Sequence, residues 1–134
     1  MTTMHMRQTT LTKSEMQVMN ILWEMGRGAC VADLLERYDE PRPAYTTIAT
    51  FLKILEQKGF VERRKGQGKL HIYYPLMTKE RYRRQVMNDV KQTLFGGSAA
   101  SLVQFFAREE QLSQQEIDEI IAIIKGSQRD EIDV

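Results

Sequence analysis

Residues 44–69 read AYTTIATFLKILEQKGFVERRKGQGK, and the assignment of the fold turns on them. Ile48, Phe51, Leu52 and Leu55 recur at i, i+3, i+4 and i+7, the spacing that lines up one apolar stripe on an α-helix. Thr46, Thr50, Lys53 and Gln57 fall on the far side. That outer face is small and polar, with one cation and no acid, whereas an ordinary solvated face mixes both signs. Hydroxyl and ammonium groups so placed suit base edges and phosphates. Gly59 stands where a helix stops in a left-handed residue. Phe60–Val61 opens a strand, and Arg63, Arg64, Lys65 and Lys69 surround a Gly66-Gln67-Gly68 turn. An apolar-backed polar helix followed by a basic, glycine-tipped hairpin is the pattern of a winged helix-turn-helix on duplex DNA. The competing reading is a plain surface helix and a solvated loop.

Upstream, Thr12 and Glu15 form a capping box, with Leu11 placed to staple onto Met16. A first helix is therefore expected to run to about Met25, with Val18, Ile21, Leu22 and Met25 inward, Trp23 as packing bulk and Gly26 as its stop. Arg27–Cys30 reads as a connector or a brief strand. Val31, Leu34, Leu35 and Tyr38 mark a second helix over Val31–Tyr38. Pro41 and Pro43 break it, and Pro43 suits the first turn of the next helix. Two helices across a short turn make the helix-turn-helix.

Downstream, Leu70, Ile72, Tyr74 and Leu76 share one face of a second strand, with His71 on the other. His71 reads as solvated or phosphate-adjacent; His5 is the only other histidine, and no zinc-type spacing occurs. Thr78 caps a fourth helix, Lys79 to about Phe95, whose stripe of Tyr82, Val86, Val90 and Leu94 is narrow. Arg81, Arg83 and Arg84 near its start are read as solvated or as brushing phosphates. Gly96-Gly97 breaks that helix, Ser98 caps a fifth, and Ser113 with Glu116 caps a sixth that Gly126 is expected to end. Helices five and six are densely apolar yet short for a closed bundle. Their Leu102, Val103, Phe105, Phe106, Ile117, Ile120, Ile121 and Ile124 are expected in a homodimer interface, the alternative being packing onto the winged helix of the same chain. Burying isoleucines at about 1.5–3 kcal/mol each would offset the cost of association. The expected organisation is mainly α: a winged helix with a small β-hairpin wing over 10–77, a helical dimerisation region over 78–126, and a disordered tail over 127–134.

Net charge is +1 over 134 residues, but residues 1–91 carry +6 and residues 92–134 carry −5. Only the first part is then expected to face a polyanion. A single cysteine, Cys30, supports no disulfide framework and fits a reducing cytoplasm. No stretch reads as a membrane span or a signal peptide. No Ser-His-Asp set, phosphate-cradling loop or carboxylate–metal cluster is present, so neither catalytic residues nor a cofactor or metal is expected.

TKSEMQVMNILWEMG, AYTTIATFLKILEQKGFVERRKGQGKLHIYYPL and GGSAASLVQFFAREEQLSQQEIDEI together resemble the penicillinase repressor family, over about residues 10–125. These are repressors of β-lactamase and methicillin-resistance operons, with copper-responsive relatives. The most specific part is the Tyr-Thr-Thr helix start with Leu-Glu-x-Lys-Gly-Phe. The resemblance implies a homodimer bound to an inverted-repeat operator. It places Tyr45, Thr46, Thr47, Thr50 and Lys53 in the major groove and Arg64, Lys65 and Lys69 on phosphates. Tyr45 and Thr47 rest on the resemblance; the others also follow from the residues. The resemblance also implies release by a membrane sensor protease that cuts an Asn-Phe bond after the Gly-Gly break. The matching bond is Phe105–Phe106, where Phe106 conforms and Phe105 departs. The cysteine-rich metal motif that ends the copper-responsive members has no counterpart in a chain whose one cysteine is Cys30.

Two other readings use the same fold. One is a ligand-responsive regulator of another winged-helix family, with Tyr73, Tyr74 and Tyr82 as candidate pocket residues. The other is a protein-binding winged helix, which calls for an apolar or acidic outer face in place of the threonine-rich one.

Overall fold

A computed structural model of the chain describes residues 10–132, with side chains through 127. His5 and the rest of the amino-terminal segment lie outside the described residues. The order is α1 (Lys13–Met25), α2 (Val31–Leu35), α3 (Tyr45–Gln57), β1 (Val61–Lys65), β2 (His71–Pro75), α4 (Lys79–Leu94), α5 (Ala99–Glu109) and α6 (Gln114–Ile132). Mainly helical architecture with one antiparallel hairpin after the third helix is a winged helix-turn-helix followed by a helical region. By compactness the chain divides into Met1–Asp89 and Val90–Val134, so α4 contributes to both units.

Local chemistry sets the ends of the elements. The Thr12 hydroxyl accepts from the Glu15 amide at 3.2 Å and the Glu15 carboxylate accepts from the Thr12 amide at 2.9 Å, completing the capping box of α1. Gly26 ends α1 at φ 65°. At the end of α3 the Phe60 amide donates to the Leu55 carbonyl at 2.9 Å and the Gly59 amide to that of Glu56 at 3.1 Å. With Gly59 at φ 84° and both Phe60 and Leu55 buried, this is a complete Schellman stop. Thr78, Ser98 and Ser113 cap α4, α5 and α6 through their hydroxyls.

The core of the first unit joins Val18, Met19 and Leu22 of α1, Leu34 of α2, and Ile48, Leu52 and Leu55 of α3, all fully buried. Phe60 and Val61 close it beneath the wing, and Tyr82 of α4 packs edge-on to Phe60 at 5.6 Å. The Tyr82 hydroxyl accepts from the Leu11 amide, and the Trp23 indole donates to the Met77 carbonyl at 2.9 Å, so Trp23 is a packing residue. β1 pairs with β2 in the register Val61↔Pro75 to Lys65↔His71. Within the Arg27–Cys30 connector, Ala29 adds one isolated bridge to Tyr73.

Four details depart from the sequence reading. α2 stops at Leu35, because Arg37 and Tyr38 turn back on Leu34 and Leu35 by three-residue hydrogen bonds. Pro43 precedes α3, whose cap is Ala44. On β2 the buried residue is Tyr73, on the side of His71; Ile72 and Tyr74 instead lie over Gly28, where a Cβ would sit 2.5 Å from the Tyr74 ring. Gly126 does not end α6, which continues to Ile132. A helical glycine costs about 1 kcal/mol relative to alanine, and no proline follows to enforce a stop.

Candidate nucleic-acid interface

The apolar stripe of α3 is buried in the core, so its other side faces outward by helical geometry. Thr46, Thr50 and Lys53 form the exposed ridge along that side. Tyr45 and Ala49 flank it toward the wing, and Thr47 flanks it toward the turn beside Pro43 and Ser14. The Thr50 hydroxyl donates to the Thr46 carbonyl at 2.8 Å. Its proton is thereby committed, and the groups it shows outward are a methyl and oxygen lone pairs. The first turn of α3 has no side-chain cap and no acid.

The position of α3 is fixed at both ends. Phe60 and Leu55 anchor its carboxyl end, where Lys58 reaches across to Glu15 at 2.8 Å. Glu15 is buried and already caps α1, so one carboxylate ties the start of α1 to the end of α3. Burial works to raise its pKa, but the Lys58 ammonium and the Thr12 amide and hydroxyl outweigh burial and hold it below the ordinary glutamate value.

The wing presents two faces by strand alternation. Arg63, Lys65, His71 and Tyr73 share the side toward α3, where Arg63 pairs with Glu56 at 3.6 Å. Glu62, Arg64, Ile72 and Tyr74 share the other. There Arg64 meets Glu62 at 3.0 Å and lies 4.7 Å over the Tyr74 ring. Among the described residues, Lys53, Lys65 and Lys69 make no ion pair. Between the wing and the start of α3 lies an open cleft of about 420 Å³, lined by Tyr45, Ala49, Arg63, Lys69, His71 and Tyr73 among others. Burial pushes the Tyr73 hydroxyl up, against the opposing charge of Arg63.

All eight residues expected at DNA are exposed on the helix-turn-helix and wing: Tyr45, Thr46, Thr47, Thr50, Lys53, Arg64, Lys65 and Lys69. Arg64 stands on the opposite hairpin face from Lys65. Sequence reading did not place Arg63 and His71 at the cleft; the period of two counted back from the Lys65↔His71 pair is the signal that finds them. Tyr73, Tyr74 and Tyr82 do not share a pocket: they line the cleft, lie beneath Arg64 and pack in the core, respectively. Among the described residues no three histidine, cysteine or carboxylate side chains gather to hold a metal ion, and no helix is long and apolar enough to cross a membrane.

A family model described as penicillinase repressor matches residues 11–126. The methicillin resistance regulatory protein MecI of Mammaliicoccus sciuri is 31% identical over 115 residues, 85% of this chain and 92% of its own. Its counterpart from Staphylococcus aureus strain N315 is 30% identical over the same shares. The penicillinase repressor of Staphylococcus aureus is 26% identical over 88% of this chain and 93% of its own.

Proposed function

The chain belongs to the penicillinase repressor family of transcriptional repressors, and on that premise we propose that it is a homodimer that represses transcription by binding an inverted-repeat operator. The exposed Thr46–Thr50–Lys53 ridge, free of acids and flanked by the unpaired Lys65 and Lys69, is the observation that carries the reading. The ridge enters the major groove. Tyr45 and Thr47 extend it on either side, while Arg64, Lys65 and Lys69 neutralise backbone phosphates. Two such ridges about 34–36 Å apart match a dyad site one helical turn per half.

The second copy is held by α5 and α6, with 78–126 as the dimerisation region and 10–77 as the DNA-binding one. Val103, Phe105, Phe106, Ile121 and Ile124 are exposed in the single chain, with Leu102, Ile117 and Ile120 half-buried beside them. Genes of β-lactam resistance are the proposed targets, since the relatives are named for methicillin resistance and penicillinase. Release comes from a membrane sensor protease acting at Phe105–Phe106. That bond lies inside α5, and Phe105 packs on Phe95 at 5.5 Å, so cleavage requires local unwinding of α5 and severs the interface.

Gel shifts on the promoter region upstream of the gene and on a scrambled duplex test the reading. Lys53→Ala and Thr46→Ala should weaken promoter binding and relax base preference, each by about 1–3 kcal/mol. Lys65→Ala should weaken both duplexes alike. Promoter affinity unchanged in both α3 variants would count against this placement.

A further inference from the structure

The cleft between the wing and α3 brings together more positive charge than groove recognition needs. Lys65 stands directly across the hairpin from His71, and Lys69 and Arg63 line the same cleft. Among the described residues, the one carboxylate bonded to any of these cations is Glu56, committed to Arg63 at 3.6 Å. From α3 the cleft receives the exposed Tyr45 hydroxyl, and from β2 that of Tyr73. Cys30 also lines the cleft, and the Asp33 carboxylate is engaged by the Cys30 amide at 3.2 Å and by Arg27. Among the described residues, His71 thus neighbours cations and hydroxyls and pairs with no carboxylate.

We propose that this cleft is a slot for one DNA backbone phosphate and that His71, in its protonated form, is a ligand of that phosphate alongside Lys65 and Lys69. The proposal rests on the DNA-binding reading above and adds to it a contact whose strength depends on pH. A phosphodiester keeps its single negative charge through the neutral range, whereas imidazole changes charge between about pH 5 and 8. Binding therefore takes up a proton at His71. Affinity is then greater on the acid side for any duplex, because a phosphate carries no sequence information.

The sequence makes the test clean, since His5 and His71 are the only histidines. The probe is a fluorescein-labelled random-sequence duplex, titrated with full-length protein by anisotropy at fixed salt near pH 6 and pH 8. Wild type should bind roughly fivefold tighter at the lower pH. His71→Gln should remain at the weaker level at both pH values, and His71→Lys at the tighter level at both. His5→Gln should behave as wild type. At the lower pH, His71→Gln should also flatten the slope of log affinity against log salt by about one unit, the signature of one lost phosphate contact, while leaving it unchanged at the higher pH. A merely structural role for His71 would not move the salt slope. Thermal melting of each variant confirms folding, and His71→Lys keeps the test informative if the glutamine variant is unstable. A pH step that survives in His71→Gln, or that vanishes in His5→Gln, overturns the slot and leaves the repressor reading standing. Binding with no pH step in wild type does the same. Absence of binding to any duplex, the promoter included, overturns both.

Discussion

The two units of this molecule treat similar side chains in opposite ways. In the first, Leu22, Leu34, Ile48, Leu52, Leu55 and Phe60 are sealed from solvent within one chain. In the second, Leu94 is 71% exposed and Ile123 67% exposed, and neither α5 nor α6 carries a buried residue among the described side chains. The first unit has layers enough to cover the apolar stripes of α1 and α3: three helices, a hairpin and the start of α4. The second has two helices and the end of a third, too few to enclose a core of their own. An apolar helix pair left open in this way is the surface that the proposed homodimer would cover. The contrast teaches that the first unit buries its apolar side chains within one chain, whereas the second leaves its own exposed.

That contrast can be broken most forcefully in the sealed unit. Phe60→Ala removes the ring that joins the α3 stop, the wing and Tyr82, and should cost about 3–5 kcal/mol in chemical denaturation, independent of protein concentration. A loss that grows on dilution would mean that the first unit also depends on a partner. Next in size is the Glu15–Lys58 tie. Glu15→Ala should cost about 3 kcal/mol, since it leaves the Lys58 ammonium and a helix cap unmatched. Because the folded pKa of Glu15 is lowered, its contribution is fully present above the ordinary value of 4.5 and fades as pH falls through the lower folded value. Acid unfolding of Glu15→Gln should accordingly show a shallower pH dependence than wild type; identical acid limbs would exclude the carboxylate as the cause.

The open unit should respond differently. Ile121→Asp should scarcely alter the melting of the first unit yet shift sedimentation toward single chains, weakening promoter binding at least about tenfold. A variant that stays dimeric would move the interface off this face. The smallest effect is Ile123→Ala, expected to change monomer stability by less than about 0.5 kcal/mol because its side chain is already in water.

The sites of agreement between sequence and structure are those where a short stretch carries its own chemistry. The Thr12–Glu15 box, the Gly26 and Gly59 stops, the serine and threonine caps, and the stripe of Ile48, Leu52 and Leu55 are set by hydrogen bonds and periodicity within a few residues. The threonine ridge follows directly, because burying one side of α3 exposes the other. Local signals failed where they conflicted with distant neighbours. Leu70, Ile72, Tyr74 and Leu76 make the more apolar face of β2, yet Tyr73 is the buried residue, because the Ala29 bridge and the packing of α3 decide which side is inward. Gly126 looked like a stop, but a glycine stops a helix only by adopting the left-handed conformation, and here it does not.

The amino-acid sequence by itself determined where helices begin and end in the first unit, which side of α3 is apolar, and that a basic turn follows it. Only the tertiary structure decided that Arg63, Lys69 and His71 share one cleft with Tyr45, with Lys65 across the hairpin from His71, and that Arg64 lies on the opposite hairpin face beside Glu62 and Tyr74. Strand alternation assigns residues to sides, but which side meets α3 depends on how the hairpin docks on the core. That docking is governed by Phe60, Val61 and Tyr73 together, across separations that no local pattern encodes.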